Sequence, residues 1–215
     1  MSDLCQRLHG LLRELPMIGF PLNMDLIPMN GVYVMFERGE RGHDTDRIVR
    51  VGTHRGDNQL RSRMEQHFIN ENKDRSIYRK HVGRALLNRD DDPFIEQWNL
   101  DLTSSAAKKR YAGIVDFEKQ RQVEQLVTDY LQSNLSFVCF QADDRDERLK
   151  WEERIISTVS LCDECGPSAD WLGLHAPNPK IGESGLWLVQ GLYKVPLSQE
   201  EYTELTEVVR GATMK

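Results

Sequence analysis

The sequence contains few cysteines and no long apolar run, and each scarcity excludes a class of protein. Only 4 of the 215 residues are cysteines, too few for a disulfide framework. No apolar stretch approaches the length of a membrane-spanning helix, and Met1–Cys5 lacks the charged stretch and apolar core of a secretory signal. We therefore expect a cytoplasmic protein with no membrane partner.

Two of the cysteines, Cys162 and Cys165, have the spacing of half a zinc site or of a redox pair. A second cysteine pair is missing, and no histidine pair at ligand spacing follows, which argues against structural zinc. A redox pair belongs at the start of a helix after a strand, whereas this pair follows a helical pattern and precedes Gly166-Pro167. Ordinary reduced cysteines are the favoured interpretation.

Charge is distributed unevenly along the chain. The net charge is -6, but the segment from Arg47 to Arg89 carries 11 Lys/Arg against 4 Asp/Glu, an excess of 7 positive charges, which leaves -13 on the remainder. A basic segment in an acidic protein is the pattern expected when one face binds phosphates. A solvated, charged helix face explains the same pattern equally well before any motif is considered.

Hydrophobic periodicity predicts an α+β fold with a small antiparallel three-stranded sheet flanked by helices, an N-terminal helix and a C-terminal extension. Glu37 to Asp46 is expected to form a long hairpin loop, while Asn58 and Ser76 are candidate helix caps. We expect an N-terminal helix and connector over 1–29, a central domain over 30–161 and an extension over 162–215 packed on the same domain. The predicted strands are 32–36, 48–52 and 135–140, and the main predicted helices are 2–15, 59–70, 77–88, 117–133, 144–161 and a short final helix from Ser198.

Four short motifs follow one another along this pattern. They are Gly31-Val32-Tyr33 on the first strand, Arg50-Val51-Gly52 on the second, Arg63 and His67 four residues apart on the next helix, and Glu152 followed by Ile155-Ile156 on a later one. Their order resembles the paired signature, arginine helix and glutamate helix of the GIY-YIG nuclease family. The resemblance extends from about Gly31 to Leu161, and its glutamate register selects Glu152 rather than Glu153.

The resemblance implies a metal-dependent endonuclease that hydrolyses phosphodiester bonds. Tyr33, with its hydroxyl at the cleft, would position or deprotonate the attacking water, and Arg63 would bind the scissile phosphate. His67 would relay a proton, and Glu152 would hold Mg²⁺ (or Mn²⁺). The ordinary alternatives are a sheet tyrosine packed in the core, a solvated helix face and a surface glutamate.

One position departs from the family pattern, because Arg50 stands where the second signature usually has a tyrosine. Either Arg50 itself or His54 is expected to substitute for the missing hydroxyl. The basic segment implies a nucleic-acid partner, DNA with RNA not excluded, bound through the phosphate backbone. The residues predicted to contact phosphates are Arg55, Arg75, Arg79, Lys80 and Arg84.

Three functions therefore stay open on the sequence. The leading one is a Mg²⁺-dependent endonuclease that cuts DNA by direct attack of water. The second is a catalytically weak or inactive nucleic-acid-binding module with the same fold, which Arg50 favours. The third is an acidic interaction protein whose partner binds the negatively charged remainder of the chain.

Overall fold

The computed structural model describes residues 2–213 and has the predicted α+β architecture. Within these residues the three strands are β1 (Gly31–Gly42), β2 (Thr45–Gly52) and β3 (Leu135–Gln141). The α-helices of the same range are α1 (Ser2–Leu12), α2 (Leu60–Phe68), α3 (Ile77–Arg89), α4 (Ile95–Trp98), α5 (Ser105–Tyr111), α6 (Phe117–Asn134), α7 (Arg145–Ser160), α8 (Pro179–Ser184) and α9 (Gln199–Thr213). Two short 3-10 helices, Met24–Leu26 and Leu172–His175, complete the described elements.

The strands form one antiparallel sheet in the order β2-β1-β3, so the strand with the first signature is central. Tyr33 pairs with Gly52 on β2 and with Cys139 on β3. The predicted three-stranded antiparallel sheet is confirmed. Its register sets the two signatures side by side, because β1 and β2 run in opposite directions from a shared turn.

The long hairpin loop predicted over Glu37 to Asp46 is wrong. β1 continues to Gly42, and the turn consists of His43 and Asp44, which both have positive φ (51° and 57°), as a two-residue hairpin turn requires. The charged residues suggested a solvated loop, but two of them, Glu37 and Glu40, are buried and paired, while Arg38, Arg41 and Asp44 are exposed. Glu40 forms an ion pair with Arg47, and Glu37 accepts hydrogen bonds from two tryptophan side chains.

Alternation along β1 divides the interior into two cores, one on each face of the sheet. Tyr33 and Met35 belong to the first core, which includes α2, α3 and α6 residues. Val32, Val34 and Phe36 belong to the second core, which includes α1, α7 and α9 residues. The helix that carries Arg63 and the helix that carries Glu152 are therefore in different layers, and they can meet only at an edge of the sheet.

The first and last described helices both contribute to the second core. Leu8 of α1 and Leu205 of α9 are fully buried in it, beside Val138 of the sheet. The division into 1–29, 30–161 and 162–215 stays a prediction. Among the described residues, no helix has the length and apolar character needed to cross a membrane.

The two predicted helix caps have different outcomes. Ser76 is the N-cap of α3, and its side chain accepts a hydrogen bond from the Arg79 N–H. Asn58 is not a cap: α2 has Gln59 at that position, with no capping hydrogen bond from its side chain. Asn58 instead adopts a positive φ of 57° and exchanges hydrogen bonds with Asn30, which fixes the loop before α2 against the start of β1.

Candidate active site

A cleft of about 1170 Å³ opens where the two layers meet at the β2 edge of the sheet. Its walls come from the end of β2 and the loop after it, from α2, from the start of α3, from α7, and from the segment that precedes α9. Four predicted site residues, Arg50, His54, Arg63 and Glu152, line this cleft. The structure thus brings together side chains separated by more than 100 positions in the sequence.

Two signature glycines allow the close approach of the strands and of Tyr33. A Cβ at Gly31 would lie 2.2 Å from the Phe140 carbonyl oxygen on β3, and a Cβ at Gly52 would lie 2.3 Å from the Tyr33 hydroxyl oxygen. Neither distance is compatible with a side chain, because both are far below van der Waals contact. Gly31 therefore lets β1 pair tightly with β3, and Gly52 leaves the space that the Tyr33 ring occupies.

Tyr33 lies beneath the cleft and is only 1% exposed. Its hydroxyl oxygen is 3.0 Å from His67 Nε2 and accepts a hydrogen bond from Arg50 Nε at 3.2 Å. His67 Nδ1 is in turn 2.8 Å from Ser76 Oγ. The expectation that the Tyr33 hydroxyl lies at the cleft is not met, because Arg50 and His67 cover it.

His67 is fully buried at the centre of this chain of hydrogen bonds. Burial, together with the nearby guanidinium groups of Arg63, Arg50 and Arg79, lowers the pKa of His67 well below its usual value. The imidazole is therefore neutral at pH 7. Two neutral tautomers fit these contacts. In the one with the proton on Nδ1, the Tyr33 hydroxyl donates to Nε2 and Nδ1–H donates to Ser76 Oγ, so that Nε2 is the ring atom able to accept a proton from Tyr33.

Arg50 fills the place of the second-signature tyrosine and is almost fully buried. Besides Tyr33, it donates from Nη1 to the Trp187 carbonyl oxygen at 2.5 Å, and its guanidinium stacks on the Tyr78 ring at 4.6 Å from the centroid. Its side chain also forms part of the cleft wall. Arg50 therefore connects the buried tyrosine to the surface that a ligand would contact.

Arg63 and His67 were predicted to share one face of α2, but their side chains point into different surroundings. His67 is directed into the core, whereas Arg63 is half-buried and lines the cleft. Arg63 Nη1 donates to the Gln66 side chain at 3.2 Å and to the Arg75 carbonyl oxygen at 3.3 Å. No carboxylate among the described residues forms an ion pair with Arg63, so its charge remains available to an anion.

Glu152 is half-buried on α7 and is directed into the cleft. Burial raises the pKa of its carboxyl above the usual value, and the positive charges of Arg50 and Arg63 and the Thr53 N–H oppose that shift. Glu152 forms no ion pair within the described part of the chain, whereas neighbouring Glu153 is paired with Lys194. A partly desolvated carboxylate that forms no ion pair suits a hard divalent cation such as Mg²⁺.

His54 lines the cleft, but its ring nitrogens are both engaged by backbone groups. Nε2 accepts the Gly31 N–H at 3.2 Å, so Nδ1 carries the proton and donates to the Gly56 carbonyl oxygen at 2.5 Å. Burial lowers the pKa of His54, which keeps it neutral. These bonds suit a residue that holds the loop after β2 against the start of β1 rather than one that exchanges protons with substrate.

The predicted phosphate contacts separate into three groups. Arg55 and Arg75 are exposed and line the cleft, as expected of backbone-phosphate ligands. The prediction for Arg79 is wrong, because its side chain is fully buried in an ion pair with Glu124. Lys80 and Arg84 lie outside the cleft lining: Lys80 is beside Asp74, and Arg84 donates to Asn99.

Three residues of the site were missed on the sequence. Trp187 supplies the carbonyl oxygen that holds Arg50, and its ring nitrogen donates to Glu37. His81 lines the cleft, and burial lowers its pKa to about 4. Lys194 lies at the rim beside Glu153. His81 lies one turn beyond Ile77 on α3, within the basic segment that the sequence singled out, whereas the other two lie in the C-terminal extension, where no motif indicated a site.

Comparison with known proteins gives a family and no individual relative. No curated protein and no solved structure matches the chain. The family model of a GIY-YIG domain matches residues 6–211, nearly the whole chain. Its span includes most of α1 and most of α9 as well as the four motifs, so the first and last helices belong to the match. The chain belongs to the GIY-YIG family, whose members are usually endonucleases.

Proposed function

We propose that this protein is a metal-dependent endonuclease that hydrolyses phosphodiester bonds in DNA. The observation that carries the proposal is the convergence of Arg50, Arg63 and Glu152 on one cleft, with Tyr33 and His67 directly behind Arg50. Phosphodiester hydrolysis needs neutralisation of charge at phosphorus, an oriented water and an acceptor for its proton. Together these five side chains can meet all three needs.

Arg63 and Arg50 bind the phosphate. Arg63 has no carboxylate partner in the described structure and a planar fork of donors, which fits two phosphate oxygens. Arg55 and Arg75, exposed on the same cleft, bind the flanking backbone. These contacts fix the position of the strand and stabilise the charge that develops on the phosphate oxygens.

Tyr33 and His67 accept the proton of the attacking water. A phosphate in the cleft draws the Arg50 guanidinium outward, which uncovers the Tyr33 oxygen that Arg50 now covers. Tyr33 then takes a proton at its oxygen as it passes its own to His67 Nε2, 3.0 Å away. His67 is neutral, because burial and three neighbouring arginines lower its pKa. The outward movement of the Arg50 guanidinium removes one of the charges that oppose protonation of Nε2.

Glu152 would hold the divalent cation, Mg²⁺ or Mn²⁺. It has the unpaired, half-buried carboxylate that such an ion requires, and the Thr53 N–H orients it. When bound, such an ion would supply Lewis-acid stabilisation of the charge that develops on the phosphate. Cytoplasmic localisation stays a prediction.

A direct assay tests this function. The purified chain is incubated with supercoiled plasmid DNA and, separately, with single-stranded RNA, with Mg²⁺ or Mn²⁺ present or omitted. We expect nicked and linear DNA only when the metal is present. Omission of the metal is a sharper control than a chelator, because it leaves any tightly bound metal elsewhere in the protein in place. DNA binding that weakens steeply with salt, without cleavage, would contradict the proposal.

The second candidate function is an inactive nucleic-acid-binding module. It is favoured by the position of Arg50, which covers the tyrosine hydroxyl that the nuclease reaction needs. The two candidates agree on the phosphate contacts and differ only in cleavage. Absence of any DNA or RNA binding at low salt would contradict both and leave the acidic interaction protein.

The salt dependence of DNA binding separates the arginines of the cleft from those outside it. The logarithm of the binding constant falls with the logarithm of salt concentration, with a slope of about -0.9 per phosphate contact. We expect Arg75→Ala to make that slope shallower by about 1, measured without Mg²⁺ by fluorescence anisotropy. Arg84→Ala is the matched control and should leave the slope unchanged, because Arg84 lies outside the cleft. Equal slopes for the two variants would place the DNA elsewhere.

A further inference from the structure

A second group of reactive side chains is buried in the other core, away from the cleft. Cys5 and His9 come from successive turns of α1, His43 from the β1–β2 turn, and Cys165 from the turn after α7. Each is less than 9% exposed, and their sulfur and ring-nitrogen atoms all lie within 4.8 Å of one another. Three segments that are far apart in the sequence thus place two thiols and two imidazoles around one point.

The distances between these atoms fit tetrahedral coordination. With Zn–S of about 2.3 Å and Zn–N of about 2.0–2.1 Å, neighbouring ligand atoms lie roughly 3.3–3.8 Å apart. The Cys5 and Cys165 sulfurs are 3.6 Å apart, and Cys165 Sγ is 4.0 Å from His9 Nε2. Free thiols are present, not a disulfide. The longest separations in the cluster, up to 4.8 Å, would contract by about 1 Å when an ion binds.

Both histidine rings have the orientation of metal ligands. A metal-binding imidazole usually donates its other N–H to a carbonyl or a carboxylate. His9 Nδ1 is 2.9 Å from the Cys5 carbonyl oxygen. His43 Nδ1 has no hydrogen-bond partner among the described residues, but a Glu164 carboxylate oxygen lies 3.2 Å away and could accept from it after a small rotation. Both rings face sulfur atoms: His9 Nδ1 is 3.7 Å from Cys5 Sγ and Nε2 is 4.0 Å from Cys165 Sγ, and His43 Nε2 is 3.3 Å from Cys162 Sγ. Only a long 3.4 Å contact from the Ile48 N–H competes at His9 Nε2.

We propose that Cys5, His9, His43 and Cys165 bind one zinc ion that braces α1 and the turn after α7 against the β-hairpin. Two thiolates and two neutral imidazoles form a closed site of the type that zinc occupies in structural roles. The soft sulfur donors exclude Mg²⁺, which prefers oxygen. The site is independent of the proposed nuclease chemistry, since none of its ligands lines the cleft.

A third thiol, that of Cys162, borders the site, so it has to be decided whether Cys162 is also a ligand. Its sulfur is 3.3 Å from His43 Nε2, and it forms the two-residue spacing with Cys165. The sequence contained only this half of the pattern. The other proposed ligands come from α1 and from the β1–β2 turn, at sequence spacings that match no local metal-binding motif. We assign Cys162 to the surroundings of the ion rather than to its ligands, because its sulfur does not belong to the four atoms that all lie within 4.8 Å of one another.

Metal analysis of the full-length chain tests the proposal. We expect one zinc per chain in the wild type, measured by mass spectrometry of the purified protein. Cys5→Ser and Cys165→Ser should lose it, whereas Cys139→Ser should retain it, because Cys139 is a buried free cysteine on β3 away from the cluster. Glu152→Gln should also retain one zinc, which separates this site from the cleft. Folded, zinc-free wild-type protein from zinc-supplemented medium would overturn the proposal.

Cobalt titration keeps the test decisive where a serine variant fails to fold. Wild-type protein stripped of metal and titrated with Co²⁺ should develop the charge-transfer absorption of thiolate-bound cobalt, with the intensity of two thiolates. We expect Cys162→Ser to keep this signal and Glu164→Gln to weaken metal affinity about 10-fold or more. Stripping should also lower the thermal midpoint, because zinc binding stabilises the folded state. Absence of the cobalt signal, or its loss in Cys162→Ser, contradicts the proposed ligand set.

Discussion

Replacing Glu152 by glutamine should lower the rate of Mg²⁺-dependent DNA cleavage by about 10³-fold or more. A metal ion contributes several kcal/mol of charge stabilisation to a phosphoryl transition state, and each 1.36 kcal/mol corresponds to a factor of about ten in rate. Glutamine keeps the shape of the side chain and its place beside the Thr53 N–H, but it is a far weaker ligand for Mg²⁺. Single-turnover cleavage of a labelled duplex measures the loss.

Stability measurements distinguish loss of the metal from loss of the fold. Burial raises the pKa of Glu152, so the ionised carboxylate is less favourable in the folded protein than in the unfolded chain. A neutral glutamine removes that cost. The urea midpoint of Glu152→Gln should therefore equal or exceed that of the wild type while cleavage is lost. A lower midpoint would indicate a structural role for this carboxylate.

Glu153→Gln is the matched control, since it makes the same chemical change one residue along α7. Glu153 is about half exposed and paired with Lys194, and an ion pair of that kind contributes only about 0–1 kcal/mol. Cleavage by Glu153→Gln should therefore stay close to that of the wild type. If Glu153→Gln instead loses activity and Glu152→Gln keeps it, the register that selects Glu152 is wrong.

The parts of the fold that local patterns specify were predictable. Gly31 and Gly52 are required by close approaches within the sheet, Ser76 caps its helix through its own hydroxyl, and β-branched runs mark the strands. The order of the four short motifs along the chain was enough to indicate the family. The convergence of Arg63 and Glu152 on one cleft followed from the resemblance rather than from any spacing.

Charged residues that are buried against distant partners were not predictable. Arg79 reads as a phosphate contact, but Glu124, 45 positions away, holds it in the core. Glu40 was predicted to lie in a hairpin loop that ends just before Arg47. In the structure these two residues lie on β1 and β2 and form an ion pair between the strands. A sequence shows that a side chain is charged, whereas only the folded chain shows whether a partner compensates its burial. The cluster of Cys5, His9, His43 and Cys165 was not predictable either, because its members come from three segments that only the fold brings together.

Removing the Tyr33 hydroxyl by Tyr33→Phe is the second change with a large expected effect. The hydroxyl joins Arg50 Nε to His67 Nε2, so its loss interrupts the proton path and frees Arg50 from its position. General acid–base groups typically contribute about 10²–10⁴-fold, and we expect a loss of cleavage in that range. Two buried polar atoms also lose a partner, which should cost about 1–3 kcal/mol of folding free energy.

Tyr78→Phe provides a control in the same core. Tyr78 is fully buried, and its ring contacts both Arg50 and His67, but its hydroxyl has no hydrogen-bond partner among the described residues. Removing that hydroxyl should therefore leave the urea midpoint unchanged or higher and cleavage near the wild-type rate. The comparison distinguishes the Tyr33 oxygen from aromatic packing, since both variants keep their rings. Equal activity of the two variants would show that Tyr33 supports the sheet and that another group accepts the proton of the attacking water.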